Sequence, residues 1–265
     1  MAEAFYLPLG QGRFQPTEHT SGPWTPQAQH FGPPSALLVR ALEGVPAERE
    51  TQLGRVTIEI LGPAPLRELT VTARLERPGR SVELLSAELT AGSRTVARAS
   101  AWRLSSNDTG AVSAGASAPL PPVADCGPAR WPSDWLGGYL HAMEWRTAKG
   151  DLCDPGPAAV WARQRFPLVD GEKPSALQRL FTVADSGNGV SNRLDPNQWW
   201  FINPELTVHV LREPIGEWIG LDAATVVGPA GVGTATSTLH DEGGQVATGS
   251  QALLVRRRES AAQQP

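Results

Sequence analysis

Apolar and polar residues alternate in three short segments of the first half, Val56 to Leu61, Leu69 to Leu75 and Thr95 to Leu104. A period of two is that of a half-buried β-strand. Arg77-Pro78-Gly79-Arg80 and Ala91-Gly92-Ser93 lie between the segments and carry turn residues. The same pattern returns 150 residues later without a gap. Thr57-Ile58-Glu59-Ile60-Leu61 aligns with Thr207-Val208-His209-Val210-Leu211. Ala73, Val82 and Leu89 align with Ala223, Val232 and Leu239. Val96-Ala97-Arg98-Ala99-Ser100 aligns with Val246-Ala247-Thr248-Gly249-Ser250. A constant register over so many positions indicates an internal duplication. The matching turns of the second copy are Val227 to Gly231 and His240-Asp241-Glu242-Gly243-Gly244, and the latter suits a tight hairpin.

One helical segment precedes each strand set. Ser35 to Leu42 follows Pro33-Pro34, and Ser175 to Ala184 follows Pro174. Proline at a helix start and serine at its cap are both favoured. Leu37, Leu38, Ala41 and Leu42 share one face, as do Leu177, Leu180, Phe181 and Ala184. Each copy therefore predicts an α+β unit, a curved antiparallel sheet wrapped around one central helix. A single helix leaves part of the sheet edge open, and two copies in one chain can close each other's edges. The predicted division is a first unit over 1–104, a flexible Pro/Ala/Gly-rich linker over 105–135, a second unit over 136–258 and a tail over 259–265.

Composition narrows the class without changing this picture. Forty per cent hydrophobic and 19% charged residues make a globular chain. A net charge of −4 argues against nucleic acid as a partner. The one basic run, Arg256-Arg257-Arg258, reads as a solvated strand end or as a contact to a phosphorylated ligand. Cys126 and Cys153 form neither a disulfide framework nor a metal spacing, so no metal is expected. The N-terminus lacks a signal-peptide pattern, and no apolar run reaches the ~18 residues of a membrane span. A cytoplasmic protein without membrane insertion is expected.

The chain has no G-x-S-x-G, P-loop, H-E-x-x-H or dinucleotide-binding glycine pattern. Three places could carry chemistry. Asp185, in Ala184-Asp185-Ser186-Gly187-Asn188-Gly189, falls in the last turn of the second helix, where the dipole disfavours an anion. It is either a working carboxylate with a raised pKa or merely a helix stop. Trp199-Trp200-Phe201-Ile202-Asn203-Pro204 is an aromatic run that is either core or ligand wall. Gln251 stands where the first copy has Ala101, and a buried amide there would need partners.

The stretch from Gly137-Gly138-Tyr139-Leu140-His141 to Leu254-Val255-Arg256, with 184–189 and Asn203-Pro204-Glu205-Leu206-Thr207, resembles the C-terminal hotdog of the acyl-CoA thioesterase II family. His30-Phe31-Gly32-Pro33-Pro34 is similar to the N-terminal one. The resemblance implies a double hotdog that hydrolyses an acyl-CoA, needs no cofactor and has room to form homo-oligomers. In that family an aspartate, a hydroxyl residue and a glutamine hold a water beside the thioester. Carried over, these positions are Asp185, Asn203 as a departure from the hydroxyl, and Gln251. An oxyanion site at the start of the first helix would fall on Gly32 or Ser35, because Pro33 has no N–H. The alternative reading is a non-catalytic acyl-CoA or acyl-chain binding protein. A hotdog dehydratase would need a histidine beside Asp185, and none of the five histidines (His19, His30, His141, His209, His240) can be placed there from sequence.

Overall fold

The computed structural model describes residues 3–132, 135 and 138–258. The tail over 259–265 and Gly137 lie outside the described residues. The first unit runs β1 (Tyr6–Gly10), β2 (Arg13–Pro16), α1 (Gly32–Glu43), β3 (Thr51–Ile60), β4 (Leu69–Arg77), β5 (Val82–Ala91) and β6 (Arg94–Ser105). A two-residue strand, β7 (Gly127–Pro128), and a short helix, α2 (Gly138–Ala142), precede β8 (Met143–Lys149) and β9 (Ala158–Gln164). Then come α3 (Ala176–Ala184), α4 (Gly187–Val190), β10 (Trp199–Ile202), β11 (Glu205–Val210), β12 (Ile219–Val227), β13 (Val232–Asp241) and β14 (Gly244–Arg257).

The duplication is visible in the strand boundaries. β4 and β12 differ by 150 at both ends, as do β5 and β13. The departure from the repeat that bears on the site concerns β3. The counterpart of the continuous β3 is split into β10 and β11 at Asn203-Pro204. Pro204 has no N–H for the ladder. Its carbonyl instead accepts from Ile60 N–H at 2.8 Å. The matching position in β3 is Gly54, where the ladder also slips.

The described strands form one open sheet in the order β1-β2-β4-β5-β6-β3-β11-β14-β13-β12-β9-β8-β7, with β10 pairing β14. The two units join through β3 and β11, where Thr57 faces Thr207, Val56 faces Val208 and Ile58 faces Leu206. Each residue near this seam sits opposite its own copy's neighbourhood, so a local two-fold axis passes through the Thr57–Thr207 pair. The sheet edges that the sequence predicts to be open cover each other there. This is a double hotdog.

α1 and α3 lie on the concave side, with Leu37, Leu38, Leu42, Leu177, Leu180 and Phe181 all buried in one core. Ser175 caps α3, its Oγ accepting from Gln178 N–H at 3.1 Å. Glu43 at the end of α1 accepts from Ser175 Oγ and Gln178 Nε2, both at 2.7 Å, and ties the two helices together. Gly32 is needed where α1 starts, because a Cβ there would run into the Thr182 carbonyl of α3.

The predicted linker is only partly loose. Residues 106–119 are exposed. From Leu120 onward the chain packs, with Leu120, Val123 and Cys126 forming a small cluster on Trp161. Trp161 Nε1 donates to the Pro121 carbonyl at 2.8 Å, β7 adds to the sheet edge, and Trp135 enters the main core. The composition predicts flexibility, but the four apolar anchors decide the outcome.

Candidate functional site

Asp185 is the C-cap of α3. The chain turns there into α4, and β14 and the β10–β11 break come up against it. Gln251, in the middle of β14, is buried. Its Nε2 donates to the Asp185 carbonyl at 3.1 Å and to Asp185 Oδ1 at 3.3 Å. Its Oε1 accepts from Asn188 N–H at 3.1 Å. Gly187 makes this approach possible, since a Cβ there would sit 2.8 Å from Gln251 Oε1. Asn203 Nδ2 donates to Asp185 Oδ1 at 2.8 Å and to the Glu205 carbonyl at 3.2 Å. Asp185, Asn203 and Gln251, far apart in sequence, thus meet directly, without an intervening molecule. Asn203 sits in the break between β10 and β11, beside Pro204, whose backbone has no N–H for the ladder.

Asp185 is only 4% exposed. Burial pushes its carboxyl up to about 7, against the opposing effect of the donors from Asn203, Gln251 and the Phe31 N–H. The unfavourable helix end that the sequence points to is therefore not the main cause; loss of water is.

The structure also places a histidine beside Asp185, which sequence spacing does not reveal. His30 Nδ1 is 3.7 Å from Asp185 Oδ2. This is no ion pair, because burial lowers the His30 pKa to about 3 and the ring is neutral. Gly32 N–H donates to His30 Nδ1 at 3.0 Å, so the ring proton sits on Nε2. The ring stacks on Tyr139, with centroids 3.8 Å apart and planes 5° from parallel. Tyr139 OH in turn donates to the Thr182 carbonyl at 2.8 Å and bonds Ser186 Oγ at 2.9 Å. The signal available in sequence was the His30-Phe31-Gly32 motif, but its distance from Asp185 along the chain hides the contact.

Gly32 and Ser35, the expected oxyanion donors, are engaged elsewhere. Gly32 N–H is committed to His30. Ser35 is fully buried, and its N–H and Oγ both bond the Phe31 carbonyl, at 2.9 and 2.7 Å. Neither lines the cavity next to Asp185.

That cavity has a volume of about 430 Å³ and takes residues from both units. Asp185, Asn203, His30 and Asn188 supply its polar wall, and Trp24, Phe31, Ile60, Trp200, Ile202 and Leu254 much of its apolar one. The aromatic run is thus divided: Phe201 is core, whereas Trp200 faces the cavity. Gln251 stands behind Asp185 and does not reach the wall. Among the described residues no His/Cys/Asp/Glu group could hold a metal ion, and no helix is long and apolar enough to cross a membrane.

Comparison with known proteins adds two findings. The acyl-CoA thioesterase N-terminal domain family matches residues 20–104, and the acyl-CoA thioesterase C-terminal domain family matches residues 123–255. Among solved structures, a hotdog-fold protein of unknown function from Alicyclobacillus acidocaldarius is similar, with TM-score 0.75, 17% identity, and coverage of 98% of both chains. A candidate thioesterase II from Thermobifida fusca has TM-score 0.74 and 17% identity, covering 96% of each chain. The acyl-CoA thioesterase II of Mycobacterium marinum has TM-score 0.66 and 15% identity, covering 98% of this chain and 97% of its own. At these identities the structures share the fold. A search of curated proteins gives no match.

Proposed function

The chain belongs to the acyl-CoA thioesterase family, and from that premise we propose that it cleaves an acyl-CoA with a water activated by Asp185. The observation that carries the reading is a buried carboxylate with a pKa of about 7 on the wall of a largely apolar cavity. At neutral pH about half of such groups are ionised, so the group can accept a proton in one step and release it in the next. The water's proton goes to Asp185 as its oxygen attacks the thioester carbon. The C–S bond of the resulting tetrahedral species then breaks, releasing a thiol and a carboxylic acid. A thioester is already activated, so the step calls for no cofactor. Asn203 and Gln251 hold Oδ1 by hydrogen bonds, Phe31 N–H is a third donor to the carboxylate, and the water would bond a remaining lone pair of Oδ2.

The negative charge that develops on the carbonyl oxygen needs a donor. The Nε2–H of His30, neutral and on the cavity wall, fits that role better than Gly32 or Ser35. A neutral ring donates without leaving a second charge in a dry site.

The deciding experiment is thiol release from a panel of acyl-CoAs of increasing chain length. Release above the uncatalysed rate is expected for at least one. Binding without release from any would favour the acyl-CoA-binding alternative, and conversion of a 2-enoyl-CoA to its hydrate would point to the dehydratase class instead.

Gln251 acts through Asp185 and is a positioning residue. Gln251→Ala should lower kcat by about tenfold, the scale of one hydrogen bond to a charged group. It should also move the inflection of the pH–rate profile upward, because a donor that lowers the Asp185 pKa is removed. A loss of rate with an unmoved inflection would mean that Gln251 matters only for packing.

A further inference from the structure

Arg256, Arg257 and Arg258 lack the carboxylate partner that about half of this chain's arginines have. Arg40, Arg98, Arg103, Arg163 and Arg212 pair with Glu172, Glu88, Glu83, Glu144 and Asp241. Among the described residues none of the three terminal arginines has a carboxylate partner, in a chain whose net charge is −4. A solvated strand end needs no more than that. Their placement goes further.

In the β10–β14 ladder Ile202 faces Leu254 and Trp200 faces Arg256. Alternation along a strand puts Ile202, Trp200, Leu254 and Arg256 on one face. The first three of these line the cavity. Arg256 therefore continues the cavity wall outward. Arg258 comes next: its guanidinium carbon lies 3.7 Å from the Trp200 ring centroid and 5.6 Å from that of Trp24, another cavity residue. Its backbone N–H is fixed to the Gln198 carbonyl at 2.9 Å. Its Nε is buried and has no partner. The buried Nε is out of an anion's reach; the planar cation held on two indoles has its outer Nη groups, which have no carboxylate partner among the described residues, to offer an anion. Arg257 points to the other face, over Trp199 at 5.2 Å, and does not belong to the strip.

Resting on the thioesterase reading, we propose that Arg256 and Arg258 bind the phosphate groups of the coenzyme A half of the substrate. Gln251 turns to the opposite, buried face of β14, and Asp185 meets the strip through the cavity wall it shares with Leu254 and Trp200. Along the backbone, at ~3.3 Å per residue, Arg256 lies about 17 Å beyond Gln251. An extended pantetheine arm is of that order. The thioester would sit at Asp185, the arm would run over Leu254 and Trp200, and the phosphates would reach the arginines. Glu205 on β11 has its carboxylate held by Ala252 N–H, four residues before Arg256 on β14, and by Thr207 Oγ1.

The test uses two readouts. Calorimetric titration of the whole chain with coenzyme A should show binding that weakens as salt rises. In Arg256→Gln/Arg258→Gln it should weaken by about tenfold or more, while pantetheine binding is unchanged. In hydrolysis, KM for an acyl-CoA should rise by a similar factor, while kcat/KM for the phosphate-free N-acetylcysteamine thioester stays within about twofold. Arg258 also packs on two indoles, so Arg256→Gln alone is the control for folding. That residue is exposed at a strand end, and an unchanged melting temperature with about threefold weaker coenzyme A binding is expected. Equal coenzyme A binding in wild type and both variants overturns the site, as does an equal loss on the phosphate-free thioester. If the arginines govern coenzyme A binding but no thioester is cleaved, the site stands and the hydrolase reading falls. If the phosphate-free thioester is cleaved and coenzyme A binding ignores the substitutions, the reverse holds.

Discussion

Asp185→Asn is expected to lower kcat for thioester hydrolysis by about 10²–10⁴-fold, the usual worth of a positioned general base. The substitution is nearly isosteric. An asparagine Oδ1 can still accept from Asn203 Nδ2 and Gln251 Nε2, at positions now 2.8 and 3.3 Å from the aspartate oxygen. What it cannot do is take a proton from water. The loss should fall on kcat, with little change in coenzyme A binding, because the proposed phosphate contacts lie far along β14. Unchanged turnover with an acyl-CoA that the wild type cleaves would remove Asp185 from the chemistry.

The same substitution should change how stability depends on pH. Asp185 has an ordinary value of 3.8 and a folded value of about 7. Between these, the folded chain holds a proton that the unfolded chain has released. Stability is therefore greatest at the acid end of the window and is lost as pH rises toward 7, beyond which it levels off. From pH 5 to pH 8 the loss from this one group is about 3 kcal/mol. Asp185→Asn has no proton to lose, so urea unfolding of the variant should lack that decline. The wild type and the variant should differ most above pH 7, with the variant the more stable. Parallel pH profiles would mean that Asp185 does not titrate in this window.

The fold was legible in the sequence for a definite reason. Two copies in a constant register make each strand's boundaries predictable from its partner's, and β4, β5, β12 and β13 follow that rule. Where one residue breaks the register, as Pro204 does, the sequence names the place but not that β3's counterpart becomes two strands. Asp185 and Gln251 were visible as residues out of keeping with their surroundings, a carboxylate at a helix end and an amide where the first copy has alanine. That they and Asn203 would converge came from the family resemblance; the residues themselves do not show it, because it depends on α3, α4 and β14 meeting in space. His30 was missed for the same reason, and the reading of Gly32 as a backbone donor left out what its missing side chain does. Its absent side chain serves the close approach of α1 to Thr182. The linker's anchors were hidden by composition, since four apolar side chains among prolines and glycines leave no periodic pattern.

The seam at Thr57 and Thr207 relates two units that no longer carry the same equipment. Across it, Gln251 corresponds to Ala101, Arg256 to Ser106 and Arg258 to Asp108, a reversal of charge at the last position. In a homodimer of single units every substitution is made twice, and a residue that helps one cleft must be tolerated in the other. Joining the copies in one chain removes that constraint. On the proposed reading, one half supplies a donor and a wall, the other a base and a grip on the leaving group. At the position that the repeat relates to Gln251 stands Ala101, which is fully buried. A chain built this way should bind one substrate per polypeptide where an unfused dimer would bind two.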